Sequence, residues 1–156
     1  MKKLIPVVLI CLFLFSCKKD KIDNSNTDSS IVGTWSVKSS TLSYYDKNDK
    51  LLGIDTTEQN KVVFKSDGTI TGTLDEDLKE KTTYKVTNVS GKKMLTIASD
   101  GGPIGKATSV TYEILSLTDH DLHFKSDNIY YLYEGFIDTY NGQPYTKLIE
   151  ELKATR

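Results

Sequence analysis

The chain has 156 residues, 38% of them hydrophobic, with 20 basic side chains against 21 acidic ones. That length is one domain's worth, and the near balance of charge excludes the broad basic surface that nucleic acid requires. Two cysteines are too few for a disulfide-stapled scaffold.

The N-terminus reads MKKLIPVVLICLFLFSCKKD. Lys2 and Lys3 precede an apolar run from Leu4 to Phe15, which is too short to span a bilayer and fits the apolar region of a secretory signal. The run ends in Leu14-Phe15-Ser16-Cys17, which resembles the bacterial lipobox, in which the cysteine is acylated after cleavage. The resemblance implies a signal peptide over residues 1–16, lipid attachment at Cys17 and a cell-envelope location, most simply the outer membrane. Cys11 would leave with the signal, so Cys17 would have no intramolecular disulfide partner. Acyl chains at about 0.8 kcal/mol per buried methylene would hold the protein to a membrane. Residues 17–30 are polar and charged apart from Ile22 and are expected to act as a flexible tether. Loss of Lys2 and Lys3 with residues 1–16 leaves 18 basic against 21 acidic residues, a net charge of −3.

Residues 31–156 are expected to form one all-β domain. GTWSVKSSTLSYY and LLGIDTT read as a first hairpin, joined by DKNDK. In KVVFKSDGTITGTL, Val62 and Phe64 alternate with Lys61 and Lys65, Asp67-Gly68 supplies a turn, and Ile70, Gly72 and Leu74 mark the return. TTYKVTNV and MLTIAS pair across SGKK, ATSVTYEILSL follows a Gly-rich loop, and TDHD leads to LHFKS. NIYYLYEG is expected as a further strand. In GQPYTKLIEELKATR the spacing of Tyr145, Leu148, Ile149 and Leu152 predicts an amphipathic helix over about 144–153, opened by Pro144. Eight or nine sequential antiparallel strands favour closure into an up-and-down barrel, with a flattened sandwich as the second architecture.

The expected inner face comprises Trp35, Val37, Leu52, Ile54, Phe64, Ile70, Tyr84, Val86, Leu95, Ile97, Val110, Tyr112, Ile114, Leu122, Phe124 and Tyr131. Trp35, Phe64, Tyr84, Tyr112, Phe124 and Tyr131 are its candidate ligand contacts, because an aromatic wall offers bulk and, in tyrosine, a polar tip. Most of the inner set is large, which argues for core packing and a narrow cavity or none.

Gly33-Thr34-Trp35 at the head of the first strand resembles the G-x-W signature of lipocalins. With the lipobox, the polar tether, FKSDGT at Phe64–Thr69 and LTDHDL at Leu117–Leu122, the layout is similar to that of small lipocalin-like lipoproteins of Gram-negative bacteria. The resemblance covers Ile31 to about Gly135. It implies a lipocalin-like barrel and non-catalytic binding of a small apolar or amphipathic ligand. Lipocalins stack a late arginine on the signature tryptophan. The only arginine here is Arg156 at the C-terminal position, so that partner is expected to be missing and Lys125 or the terminal helix to cover Trp35.

Catalytic chemistry has no constellation. His120 and His123 fall in a turn and on a wet face, short of a metal ligand set. Asp100 and Ala107 stand where a phosphate-binding loop needs glycine and a hydroxyl residue, and DEDLKE lacks the glycine and alternating ligands of a calcium loop. The sequence therefore predicts no enzyme, no cofactor, no metal and no nucleic acid, and a monomer tethered to a membrane. The alternative is an interaction lipoprotein whose filled barrel meets another envelope or host protein.

Overall fold

A computed structural model describes residues 30–56, 61–72, 82–100, 108–132, 135 and 139–156, the side chain of Tyr131 excepted. The signal, Cys17 and nearly all of the tether lie outside the described residues.

The described chain is all-β: β1 (Gly33–Tyr45), β2 (Leu51–Thr56), β3 (Lys61–Phe64), β4 (Ile70–Gly72), β5 (Thr82–Val89), β6 (Lys92–Ser99), β7 (Thr108–Leu117), β8 (Asp121–Ser126), β9 (Thr139–Tyr140), β10 (Gln143–Pro144) and β11 (Lys147–Thr155). Eight strands follow one antiparallel path, β4-β3-β1-β11-β8-β7-β6-β5, and β2 adds to β1. The two ends of the path meet through the Thr69–Thr83 bridge and the Tyr84 N–H donating to the Gly68 carbonyl at 2.8 Å. The sheet is thus nearly closed into a barrel, and the pairing leaves few free edges.

β1 bends to serve two neighbours on one edge. Gly33–Ser36 pairs with β3, Thr41–Tyr45 pairs with β2, and a bulge at Val37/Ser39 marks the change. Tight links hold the hairpins in register. Ser90 (φ 51°) and Gly91 (φ 81°) form one two-residue turn, and Asn141 (φ 49°) and Gly142 (φ 77°) another, the backbone such turns require.

Two expected elements take other forms. The helix over 144–153 is absent: Pro144 pairs with Thr139, and β11 runs between β1 and β8 with Leu152 facing both Ser40 and Phe124. Leu148 and Leu152 stand four apart, a spacing shared by both periods, while the inner row is Leu148, Glu150, Leu152, Ala154. A glutamate on the inner face hid the alternation. Within the expected strand from Asn128, Tyr130–Leu132 form a 3-10 turn, and Tyr133 and Glu134 lie outside the described residues. The Asn128 side chain accepts the Tyr130 and Leu148 N–H groups, each at 3.0 Å, which bends the chain out of the sheet.

The interior divides into two apolar clusters. One gathers Ile31, Trp35, Phe64, Ile70, Tyr84, Leu95, Tyr112, Leu122, Phe124 and Leu152 with their neighbours; the other gathers Tyr44, Ile129, Tyr145 and Leu148. Ile54, expected inside, is 53% exposed, because the β2 residue opposite Ser43 faces away from the barrel. Leu52 packs against the second cluster.

Candidate functional site

The barrel interior is the candidate site, and Trp35 defines one end of it. Gly33 has φ 140°, a backbone that a side chain rarely adopts, and a Cβ there would stand 3.0 Å from an Arg156 guanidinium nitrogen. Trp35 is fully buried and donates its indole N–H to the Ile31 carbonyl at 2.8 Å. The Arg156 guanidinium lies 4.3 Å from the centre of the indole. It also donates to the carbonyls of Asp119 (2.9 Å), Val32 (2.8 Å) and Ser30 (3.2 Å). The expectation of a missing arginine is overturned: the strand that replaces the helix carries Arg156 back to Trp35. Lys125 lies on the outer face, 3.9 Å from Glu151.

Above this end the aromatic candidates pack on one another. Phe64 meets Tyr84 edge-on at 4.9 Å, and the Tyr84 hydroxyl donates to the Lys65 carbonyl at 2.8 Å. Tyr112 meets Phe124 at 5.0 Å. Five of the six candidates, Trp35, Phe64, Tyr84, Tyr112 and Phe124, are therefore brought together in one buried cluster. The side chain of Tyr131 is outside the described residues.

Between the two clusters runs a polar belt. The register aligns Leu42 with Glu150 and Tyr112 with both Ser126 and Leu95. The buried Ser126 hydroxyl joins the row: it accepts the Glu150 N–H at 2.7 Å and donates to the Glu150 carbonyl at 3.3 Å. The Tyr112 hydroxyl donates to the Glu150 carboxylate at 2.7 Å. Burial raises the Glu150 pKa above the ordinary carboxylate value, against the smaller opposing effect of the Tyr112 hydrogen bond. Leu42, Ile97, Val110 and Glu150 occupy inward positions of their strands yet are only half-buried, with Leu42 and Val110 packed against the second cluster and Ile97 against the first. The belt stands roughly 20 Å along β1 from Trp35, at about 3.3 Å per residue.

The far end is lined by tyrosine. Tyr44 stacks on Tyr140 at 4.5 Å and meets Tyr145 at 5.0 Å, and Tyr130 meets Tyr145 at 5.4 Å. Glu150, Ser126, Tyr145, Ile129 and Arg156 are the residues that sequence reasoning missed. A period-two reading of Leu148–Ala154 would have found Glu150.

Outside, β6, β7, β8 and β11 frame a groove of about 430 Å³ in which Met94, Leu115 and Ile149 lie among Lys92, Lys125 and Lys147. His123 is on this outer wall, 2.8 Å from Glu151. Among the described residues no three His, Cys, Asp or Glu side chains gather as a metal site. Comparison with models of known protein families, with curated proteins and with solved structures finds no match for this chain.

Proposed function

We propose that the chain is a lipid-anchored, lipocalin-like protein of the bacterial envelope, placed at the outer membrane, that holds a small apolar or amphipathic molecule without transforming it. One observation carries the binding reading: inward-facing Leu42, Ile97, Val110 and Glu150 are only half-buried in a nearly closed barrel. A barrel of eight strands encloses just enough space for side chains or one small ligand. The lipobox-like LFSC and the polar residues after it support the anchor, and the stacking of Arg156 on Trp35 supports the lipocalin likeness.

The test uses the full chain with Cys17→Ser and a neutral naphthalene dye displaced by unlabelled apolar ligands. Saturable displacement is the expected result; no displacement by any of them contradicts the carrier reading. The outer groove favours a second reading, an interaction protein that docks a partner through Met94, Leu115 and Ile149. Under that reading a Leu115→Asp substitution abolishes partner capture and the interior takes no ligand.

A further inference from the structure

We infer that the polar belt is a subsite for the protonated amine of a small amphipathic ligand, with the Glu150 carboxylate as its counter-ion. This rests on the binding reading above and names the ligand's chemistry. Its basis is the juxtaposition of a half-buried, inward-pointing acid, the half-buried Leu42 and Val110, and an apolar cluster on either side.

The groups facing Glu150 come from three strands. Tyr112 on β7 gives its hydroxyl to the carboxylate at 2.7 Å, Ser126 on β8 engages only the Glu150 backbone, and Leu42 faces it from β1. Among the described residues no Lys, Arg or His pairs with this carboxylate. The contrast with its neighbour on the same strand is direct. Glu151 points outward and has His123 at 2.8 Å, Lys153 at 3.2 Å and Lys125 at 3.9 Å. An acid placed inward with a single phenolic donor is an incomplete electrostatic pair, because a buried charge is costly until it is matched. An ammonium group would complete it, and the half-buried Leu42 and Val110 would receive the apolar body. A carboxylate or phosphate head would instead meet like charge, so fatty acids should be poor occupants of this level.

The experiment is displacement of a neutral naphthalene dye from the full chain with Cys17→Ser, by octylamine, octanol and octanoate in parallel. The three share a chain and differ in the charge of the head. At neutral pH octylamine should compete at least ten-fold better than octanol, and octanoate worst. Glu150→Gln, which keeps an acceptor for Tyr112, should make amine and alcohol equal, whereas Glu151→Gln, on the outer face, should leave the amine preference in place. The unaltered chain supplies a check that depends on no variant. Its amine preference should fade as pH falls and Glu150 takes up its proton, while the amine stays charged. Equal competition by amine and alcohol in the unaltered chain overturns the subsite and leaves the binding reading standing, as does an amine preference that survives Glu150→Gln. Failure of all three to displace the dye overturns both.

Discussion

Gly33, Trp35 and Arg156 act as one unit. At Gly33 the positive φ strains any side chain, and a Cβ 3.0 Å from the Arg156 guanidinium would press that group aside. Gly33→Ala is expected to cost about 1–3 kcal/mol in denaturant unfolding, through backbone strain and displacement of the guanidinium. Arg156→Ala removes the cation–π contact and three carbonyl hydrogen bonds, a loss of roughly 2 kcal/mol. Arg156→Lys should recover only part of it, because one ammonium cannot span carbonyls from two segments and cover the ring. The two adjacent glutamates should give opposite pH signatures. Glu150 has a raised pKa, so the native state holds its proton longer than the unfolded chain. Its contribution is full below the ordinary carboxylate value and is lost as pH rises through the raised one. In Glu151, burial would raise the pKa, but the His123 and Lys153 interactions outweigh it and leave the group below its ordinary value. That contribution is present above the unfolded value and is lost as pH falls through the native one. Unfolding measured across the acid range should therefore show Glu150→Gln gaining on the unaltered chain as pH rises, and Glu151→Gln gaining as it falls.

At the scale of elements, the β9–β10 ribbon is fixed to β2 through a glycine. A Cβ on Gly53 would collide with the Tyr140 ring, which packs there, stacks on Tyr44 at 4.5 Å and bonds Asp55 at 3.2 Å. Gly53→Ala should expel Tyr140 and cost about 1 kcal/mol in aromatic contact, seen as a lower melting temperature with the first cluster unchanged. The strands β1 to β8 were legible because their alternation and turn residues agree: Phe64 and Ile70 flank Ser-Asp-Gly, and Val89 and Lys92 flank Ser-Gly. β11 was not legible, for it depends on a long-range demand. The gap between β1 and β8 needs a strand, and that demand overrides a local pattern in which Leu148, Ile149 and Leu152 mimic a helix. The turn at Tyr130–Leu132 escaped for the opposite reason. Its residues have strong strand propensity, and one side-chain amide, that of Asn128, decides against it.

For the whole molecule, the aromatic residues chosen from the sequence describe the packed end of the barrel, and the polar belt lies beyond them. Trp35, Phe64 and Tyr84 are visible in sequence as apolar alternation, while Glu150 is hidden by the helix-like spacing of Leu148, Ile149 and Leu152. The anchor has its own test. Metabolic labelling with radioactive palmitate should mark the chain and fail to mark Cys17→Ser. Equal labelling of both would remove the lipoprotein reading. The location of a bound ligand is tested most directly by methyl-resolved NMR during titration with a small amphipathic molecule. Ligand inside the barrel should shift Leu42, Ile97 and Val110 and leave Ala154, near Trp35, unmoved. Shifts confined to Met94, Leu115 and Ile149 on the outer groove, or no shifts at all, would contradict an interior binding site.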